Sequence, residues 1–264
     1  MKKANILLLL FNVIMLKSQA QDFSMYEKNW FIQSGDTLPY RILLPAQYDT
    51  AKKYPLLVFL HGRGESGTDN EKQLVHGARM FIADSFRTNY PAIIVFPQCG
   101  ANSYWSNVQM IAKGIKTGKR DFFFIPDGHP TAYMQLVINL TKHIISHYPI
   151  KKTQVYAMGL SMGGMGTFEI VRRMPGVFAA AIPICGGASS ETAASVAKTK
   201  WWIFHGAKDD VVLPQYSVNM VEALQKTKAT VKFTLFPDAN HNSWDPAFAT
   251  SGIMQWLFSQ KKGK

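Results

Sequence analysis

The sequence feature that most constrains this 264-residue chain is a serine held between two glycines, Gly159-x-Ser161-x-Gly163. Residues 154–158 before it form an apolar run, and residues 167–173 after it have the spacing of a helix. This order predicts a strand, a sharp turn and a helix, with the serine hydroxyl exposed at the turn beside the N–H groups of the helix N-terminus. Glycines are expected there because a Cβ would strike neighbouring backbone. The alternative is an ordinary small-residue turn, since so short a motif also arises by chance.

The start of the chain resembles a targeting segment rather than part of a fold. Two lysines open it, residues 6–16 are apolar with one break, and small residues occupy Ser18 and Ala20. This pattern predicts a signal peptide over residues 1–20 and a mature domain over 21–264, exported to a periplasm or beyond. A stable membrane insertion is not expected, because the apolar run is shorter than the roughly 20 residues of a membrane span.

The chain is basic, with a net charge of +12. A basic surface attracts nucleic acids and acidic polymers, but the lysines are scattered and no aromatic residues alternate with them in a stripe. We therefore expect ordinary surface solvation and no nucleic-acid partner.

The two cysteines, Cys99 and Cys185, each follow a predicted strand. In the expected sheet those strands are three spacings of about 4.8 Å apart, too far for a disulfide. The sequence predicts two free, buried thiols.

Strand-like runs alternate with helical ones along the chain. Strands are predicted at 30–33, 38–44, 54–60, 92–96, 154–158, 178–184, 201–204 and 231–236, and helices within 71–86, 133–147, 167–173, 193–198, 216–226 and 248–260. The pattern predicts one α/β domain with a mostly parallel central sheet, an N-terminal antiparallel hairpin and helices on both faces. Residues 100–130 show no clear period and are predicted to be irregular. Chemistry is expected at the carboxyl ends of the strands.

A serine hydroxyl becomes a good nucleophile only when a base takes its proton and a third group orients that base. Asp209 follows the strand at 201–204, and His241 follows the strand at 231–236. Each of these residues lies about one strand–helix unit after the previous one, counting from Ser161. The spacing predicts that Ser161, Asp209 and His241 meet at one edge of the sheet as a catalytic set.

Each partner of the serine has an alternative. Asp209 could instead cap the following helix, and Asp210 or Asp238 could be the orienting acid. His241 could be an ordinary loop histidine, although no other histidine follows a strand after Asp209.

Acyl transfer also needs two donors for an oxyanion. We expect the backbone N–H of Met162, after the serine, and that of Arg63, in the loop after the strand at 54–60. The same loop spells G-x-G-x-x-G over residues 62–67, which is typical of dinucleotide binding. That interpretation also requires an acidic residue at the end of a second strand, and the nearest candidate, Asp84, falls within a predicted helix. No cofactor is expected.

Four other histidines are predicted to have no catalytic role. His61 and His205 precede glycines at strand ends and are expected to hold loops by hydrogen bonds. His143 and His147 lie four apart on a helix, but Ile144 stands where a metalloprotease motif has glutamate. No metal site is expected.

Several aromatic residues fall in loops at the expected catalytic edge. Trp105 and Trp244 are predicted to bind substrate, with Tyr104 nearby, and the alternative is that these residues cover the core. Residues 122–124 either line the cleft or cover the core. The basic stretch at 113–120 is either a flap or a solvated turn.

Taken together, these motifs resemble those of the α/β-hydrolase superfamily. The resemblance rests on His61-Gly62-x-Gly64, Gly159-x-Ser161-x-Gly163-Gly164, His205-Gly206-x-x-Asp209 and His241-Asn242-Ser243-Trp244. Within it, the chain resembles secreted carboxylesterases related to feruloyl and acetylxylan esterases, polyhydroxybutyrate depolymerases and the phospholipase/carboxylesterase group. The resemblance implies the same triad and the same oxyanion donors. It disfavours dienelactone hydrolase activity, because that group has Cys where this chain has Ser161.

The sequence therefore predicts an exported serine carboxylesterase that forms an acyl-enzyme, acting on a small or polysaccharide-linked ester, with feruloyl or acetyl esters as candidates. The alternatives are a peptidase of the prolyl-oligopeptidase-like group and a non-catalytic binding protein on the same scaffold.

Overall fold

A computed structural model of the chain describes residues 22–112 and 120–263. The predicted signal peptide and most of the basic stretch at 113–120 lie outside the described residues. The strands are β1 (Glu27–Gln33), β2 (Asp36–Leu43), β3 (Tyr54–Leu60), β4 (Ile93–Pro97), β5 (Val108–Ala112), β6 (Arg120–Phe124), β7 (Ile150–Leu160), β8 (Ala180–Ile184), β9 (Lys200–Gly206) and β10 (Val231–Phe236). The helices are α1 (Ala78–Ile82), α2 (Asp84–Asn89), α3 (Ala132–His147), α4 (Met162–Arg173), α5 (Gln215–Lys226), α6 (Trp244–Phe248) and α7 (Ile253–Ser259).

Eight strands form one sheet in the order β1-β2-β4-β3-β7-β8-β9-β10. β1 and β2 pair antiparallel, as do β2 and β4, and every other neighbouring pair is parallel. The predicted fold class, with its N-terminal hairpin, is confirmed. The carboxyl ends of β3, β7, β8, β9 and β10 consequently share one edge of the sheet.

Both faces of the sheet are covered, because the central strands are apolar along their whole length. All seven residues of β3 are buried, and its side chains alternate between two cores. Leu56 and Val58 pack in the core that also holds α3, α4 and α5. Leu57 and Phe59 pack in the opposite core, with α1, α2, α6 and α7. Such strands suit a parallel sheet buried on two sides.

The structure corrects the predicted helix at 71–86. The chain there forms a 3₁₀ helix (Lys72–Leu74), then α1 and α2. Gly77, with φ of +84°, separates the first two, and Ala83, with an extended backbone, separates α1 from α2. The short helix expected at 193–198 is a 3₁₀ helix at Ser190–Val196.

The prediction of an irregular 100–130 segment is wrong. β5 and β6 form a separate antiparallel hairpin within it, with Val108 opposite Phe124 and Met110 opposite Phe122. The ring of Tyr216 on α5 packs edge-on against Phe122 and Phe124, and its hydroxyl accepts a hydrogen bond from the Phe122 N–H. A hairpin packed on a helix in this way is set by tertiary contacts that no sequence period reveals.

Cys99 and Cys185 are free and buried, as predicted. Burial raises the pKa of the Cys99 thiol to about 12. Of the helices in the described ranges, none combines the length and apolar character that crossing a bilayer requires.

Candidate active site

Ser161 stands between the end of β7 and the start of α4. Its φ is +53° and its ψ −119°, a backbone conformation that residues other than glycine rarely adopt. The Ser161 N–H is held by the carbonyl of Ile184 on β8, at 2.9 Å. A Cβ on Gly163 would overlap the Leu60 carbonyl, so the turn closes only because this position is glycine. The predicted strand–turn–helix is confirmed, and the strain is maintained by the sheet around it.

Three loops bring Ser161, His241 and Asp209 into one hydrogen-bonded line. The Ser161 Oγ lies 2.9 Å from His241 Nε2, and His241 Nδ1 lies 2.8 Å from Asp209 Oδ2. The side chain of Asp209 is completely buried, and that of His241 is 21% exposed. His241 can therefore exchange a proton with the serine on its open side while the acid stays out of water.

The carboxylate of Asp209 is fully occupied by donors. Oδ1 accepts the backbone N–H groups of Val211 and Val212, at 3.0 and 2.9 Å, and Oδ2 accepts from His241 and from His205 Nε2, at 3.2 Å. Burial acts to raise the pKa of Asp209, but the hydrogen bonds from His205, His241 and Val212 together hold it well below its ordinary value. Asp209 is consequently ionised next to His241.

The other acids considered from the sequence lie elsewhere. Asp238 forms an exposed ion pair with Lys208, at 2.7 Å. Asp210 is exposed, next to the buried Asp209. Asp209 does not cap the following helix: α5 begins after Pro214 without a side-chain cap, and Asp209 Oδ1 binds backbone N–H groups of its own loop.

His205 contributes more than the sequence indicates. Its Nδ1 lies 2.7 Å from Ser217 Oγ, and its Nε2 lies 2.8 Å from the carbonyl of Val212. Because that carbonyl can only accept, Nε2 carries the hydrogen, which is shared with Asp209. The expected loop-holding role is confirmed, and contact with the acid is added to it. In the sequence, the His-Gly pair at the end of the strand is the one signal that points to this contact between His205 and Asp209.

His61 also holds a loop, as predicted. Its Nδ1 lies 2.6 Å from the Gly62 carbonyl, and its Nε2 accepts the N–H of Cys99 at 2.9 Å. Burial is the main reason that the pKa of His61 falls to about 4. The neutral ring therefore ties the loop after β3 to the loop after β4.

Arg63 and Met162 both line the cavity at Ser161. Met162 is the first residue of α4, and Arg63 opens a 3₁₀ helix (Arg63–Glu65) directly after β3. The Arg63 guanidinium donates to the carbonyls of Ala101 and Ser103. Its side chain thus fixes the neighbouring loop.

A cavity of about 370 Å³ opens in front of Ser161. Its walls combine aromatic, aliphatic and polar side chains: Tyr104, Phe122, Trp244, Leu160, Met165, Val211, Val212, Glu65 and His76, with the 62–64 loop and the Ser161–His241 pair at its base. Trp244 lies edge-on to His241, with ring centroids 5.6 Å apart. Its predicted place at the cleft is confirmed.

Trp105 does not line this cavity, and that prediction is wrong. It is fully buried, and its Nε1 donates to the His61 carbonyl at 3.0 Å. A Cβ on Gly166 of α4 would collide with it. Trp105 therefore packs beneath the 61–64 loop, because a ring this large is best accommodated where α4 has no side chain.

Two groups of residues bear on metal binding. His143 and His147 stack at 4.1 Å on α3. In the described part of the chain, one group of three possible ligands has its atoms within 4.8 Å of one another: Cys185, Asp209 and His241. Asp209 already accepts four hydrogen bonds, one of them from His241. These atoms therefore lie close together as part of the hydrogen-bonded line at Ser161.

The sheet order, the turn at Ser161 and the edge where the three side chains meet define an α/β-hydrolase fold. The chain matches the esterase family over residues 33–243 and belongs to it.

Solved structures share this fold. The chain is similar to a thermostable esterase, with 30% identity and a TM-score of 0.79 over 90% of this chain, and it spans 64% of that protein's length. It is also similar to a ferulic acid esterase from Anaeromyces mucronatus, with 18% identity, a TM-score of 0.63 and coverage of 89% and 90% of the two chains. An acylaminoacyl peptidase from Pyrococcus horikoshii shares the fold at 13% identity and a TM-score of 0.61, with 92% of this chain and 43% of that one covered.

Proposed function

We propose that this chain is a carboxylesterase in which Ser161 forms an acyl-enzyme, His241 is the general base and acid, and Asp209 orients His241. The observation that carries the proposal is the unbroken line from Ser161 Oγ through both nitrogens of His241 to the buried Asp209 carboxylate. Such a line lets the imidazole take the serine proton while the nearby negative charge stabilises the imidazolium.

The proposed reaction has two halves. His241 removes the Ser161 proton as Oγ attacks the ester carbonyl, and then gives that proton to the departing alcohol. A water molecule next loses a proton to His241 and attacks the acyl-serine, releasing the acid and restoring Ser161. We assign the N–H groups of Met162 and Arg63 to the oxyanion, because both residues line the cavity beside Ser161. Each such donor contributes about 3–4 kcal/mol to related reactions.

For the substrate, we propose an ester outside the cell, with feruloyl or acetyl esters of polysaccharide as the leading candidates. Three observations support this choice: the signal-like sequence at 1–20, the aromatic walls of the cavity at Tyr104, Phe122 and Trp244, and the similarity to a ferulic acid esterase. A peptidase is the second candidate, favoured only by the shared fold with an acylaminoacyl peptidase.

The test compares wild type with Ser161→Ala on short p-nitrophenyl esters, methyl ferulate and a prolyl-nitroanilide. We expect ester turnover by the wild type and a loss of about 10⁶-fold in kcat for the variant. The matched control is Ser195→Ala. It removes an exposed serine hydroxyl from the 3₁₀ helix at Ser190–Val196, which lies outside the cavity. Faster cleavage of the nitroanilide than of any ester would favour the peptidase. Failure of the wild type to cleave any of these substrates would contradict both and favour a binding protein.

A further inference from the structure

Glu65 is a buried acid in the wall of the cavity, and the proposed reaction does not use it. It ends the 3₁₀ helix after β3 and is only 9% exposed. Its Oε2 lies beneath the 62–64 loop: both this oxygen and Leu160 Cδ1 are 2.9 Å from the point where a Cβ on Gly62 would stand. Glu65 and Ser161 line the same cavity.

The carboxyl group of Glu65 has unused capacity to accept hydrogen bonds. Its Oε2 is shielded from solvent and has no partner among the described residues. Its Oε1 faces His76 Nε2 across 3.7 Å, which is too long for a hydrogen bond. Burial raises the pKa of Glu65, and His76 and the backbone N–H groups of Gly62 and Glu65 near the carboxyl group counteract this. Oε2 is closed off from any water-sized group, so the side of the carboxyl group that faces His76 is the one that a donor in the cavity would approach.

His76 and Trp244 extend this corner towards the catalytic histidine. The side chain of His76 is 35% exposed, so it is reachable from the cavity that it lines. Its ring centroid lies 5.1 Å from that of Trp244, and Trp244 in turn stands edge-on to His241. The corner thus adjoins the side of the site where His241 must hand a proton to the leaving alcohol.

We propose that Glu65 and His76 form a subsite for a hydroxyl group carried by the alcohol part of the ester, with Trp244 as its apolar wall. This inference rests on the proposed function and deepens it, because it names the chemistry of the preferred leaving group. The hydroxyl hydrogen would bond to the Glu65 carboxyl group, and His76 would contact the hydroxyl oxygen. An ester whose alcohol lacks this group leaves the acid without a partner.

The test uses two series of acetate esters, ω-hydroxyalkyl acetates and n-alkyl acetates matched in the number of heavy atoms, with alcohol chains of two to six carbons. A closed site built for a hydroxyl rejects the analogue without it by about 10⁴-fold or more; for this half-open corner we expect roughly 10- to 100-fold in kcat/KM at the best chain length. An ω-ammonium pentyl acetate shows whether a cationic donor is accepted in place of the hydroxyl.

Two variants test whether Glu65 and His76 cause a preference for hydroxyalkyl esters over n-alkyl esters. Glu65→Gln keeps the shape but removes the charge, and His76→Phe keeps a ring without its nitrogens, so each should lower the ratio of kcat/KM on hydroxyalkyl esters to kcat/KM on n-alkyl esters. Glu222→Gln on α5, outside the cavity, is the matched control. His76→Phe remains informative if Glu65→Gln fails to fold, because His76 is partly exposed.

The possible outcomes separate this inference from the proposed function. Equal rates for both series in the wild type, or a preference unchanged in both variants, would overturn the subsite and leave the esterase intact. A clear preference for the ammonium ester over the hydroxyl ester would overturn the choice of hydroxyl. No turnover of any ester would overturn the proposed function and the subsite together.

Discussion

Two loops that meet at the active site begin with the same pair of residues. His61-Gly62 follows β3, and His205-Gly206 follows β9. Both histidines are completely or almost completely buried. The ring nitrogens of His61 contact only backbone groups, from Gly62 and Cys99, whereas those of His205 reach the side chains of Ser217 and Asp209 as well as one carbonyl.

The two glycines differ in a similar way. A Cβ on Gly62 would approach the ends of two side chains, Glu65 and Leu160, which can move. A Cβ on Gly206 would overlap the carbonyls of Ala239 and Asn240, just before His241. The first loop is therefore supported by adjustable contacts. The second is fixed against the backbone of the loop that carries His241, so the His-Gly pair has a different structural role in each loop.

The largest effect is expected on kcat, from a substitution of Asp209, the acid in the second loop. Asp209→Asn should reduce kcat by about 10⁴-fold with little change in KM, because the amide no longer selects the right tautomer of His241 or stabilises its charge. Steady-state kinetics on a p-nitrophenyl ester would measure this. The control is Asp238→Asn, whose acid is exposed. A loss below about 10-fold would show that Asp209 does not orient the base.

The next effect is expected on the free energy of unfolding, through His61 in the first loop. The unfolded chain protonates His61 near its ordinary pKa of about 6.5, but in the folded protein the pKa is about 4. The stabilising contribution of the neutral ring is therefore complete above about pH 6.5 and is lost as the pH falls towards 4, a change of about 3 kcal/mol in the free energy of unfolding.

Urea unfolding of wild type and His61→Gln at pH 7.5, 6 and 4.5 would measure this contribution. The variant cannot titrate at this position, so its stability should fall less steeply with acid, while its esterase activity at pH 7.5 remains close to that of the wild type. Parallel pH profiles for the two proteins would contradict the prediction.

The smallest expected effect is on the second histidine. His205→Gln retains a side-chain N–H that can reach Asp209, so we expect a loss in kcat below about 10-fold, which is less than the value of one hydrogen bond to a charged group. His205→Phe removes the donor and should lose more, with KM unchanged in both. Full activity in His205→Phe, in a protein that still folds, would show that His205 serves only to pack the loop.

The sequence predicts the sheet and the hydrogen-bonded line well for a physical reason. A long apolar run such as β3 is typical of a strand buried in a parallel sheet. The carboxyl ends of parallel strands lie at one edge of the sheet, so Ser161, Asp209 and His241 meet there even if the loops between the strands differ. The signal is weaker where neighbours distant in sequence decide the outcome. Trp105 is a loop residue with an aromatic side chain, and nothing local shows that Gly166 leaves room for it in the core.

The same limit applies to the polar corner of the cavity. One 3₁₀ helix, Lys72–Leu74, lies between Glu65 and His76 where the sequence pattern predicts part of a longer helix, so their proximity is not visible before folding. The hairpin of β5 and β6 is similar, since its position depends on Tyr216, about 90 residues further along the chain.

That hairpin supplies Phe122 to the cavity without belonging to the central sheet. Because the hairpin pairs with no strand of the eight-stranded sheet, changes in it should leave that sheet and the loops of Ser161, Asp209 and His241 in place. Natural drift or laboratory recombination can therefore reshape which molecules fit the enzyme by exchanging this single peripheral module.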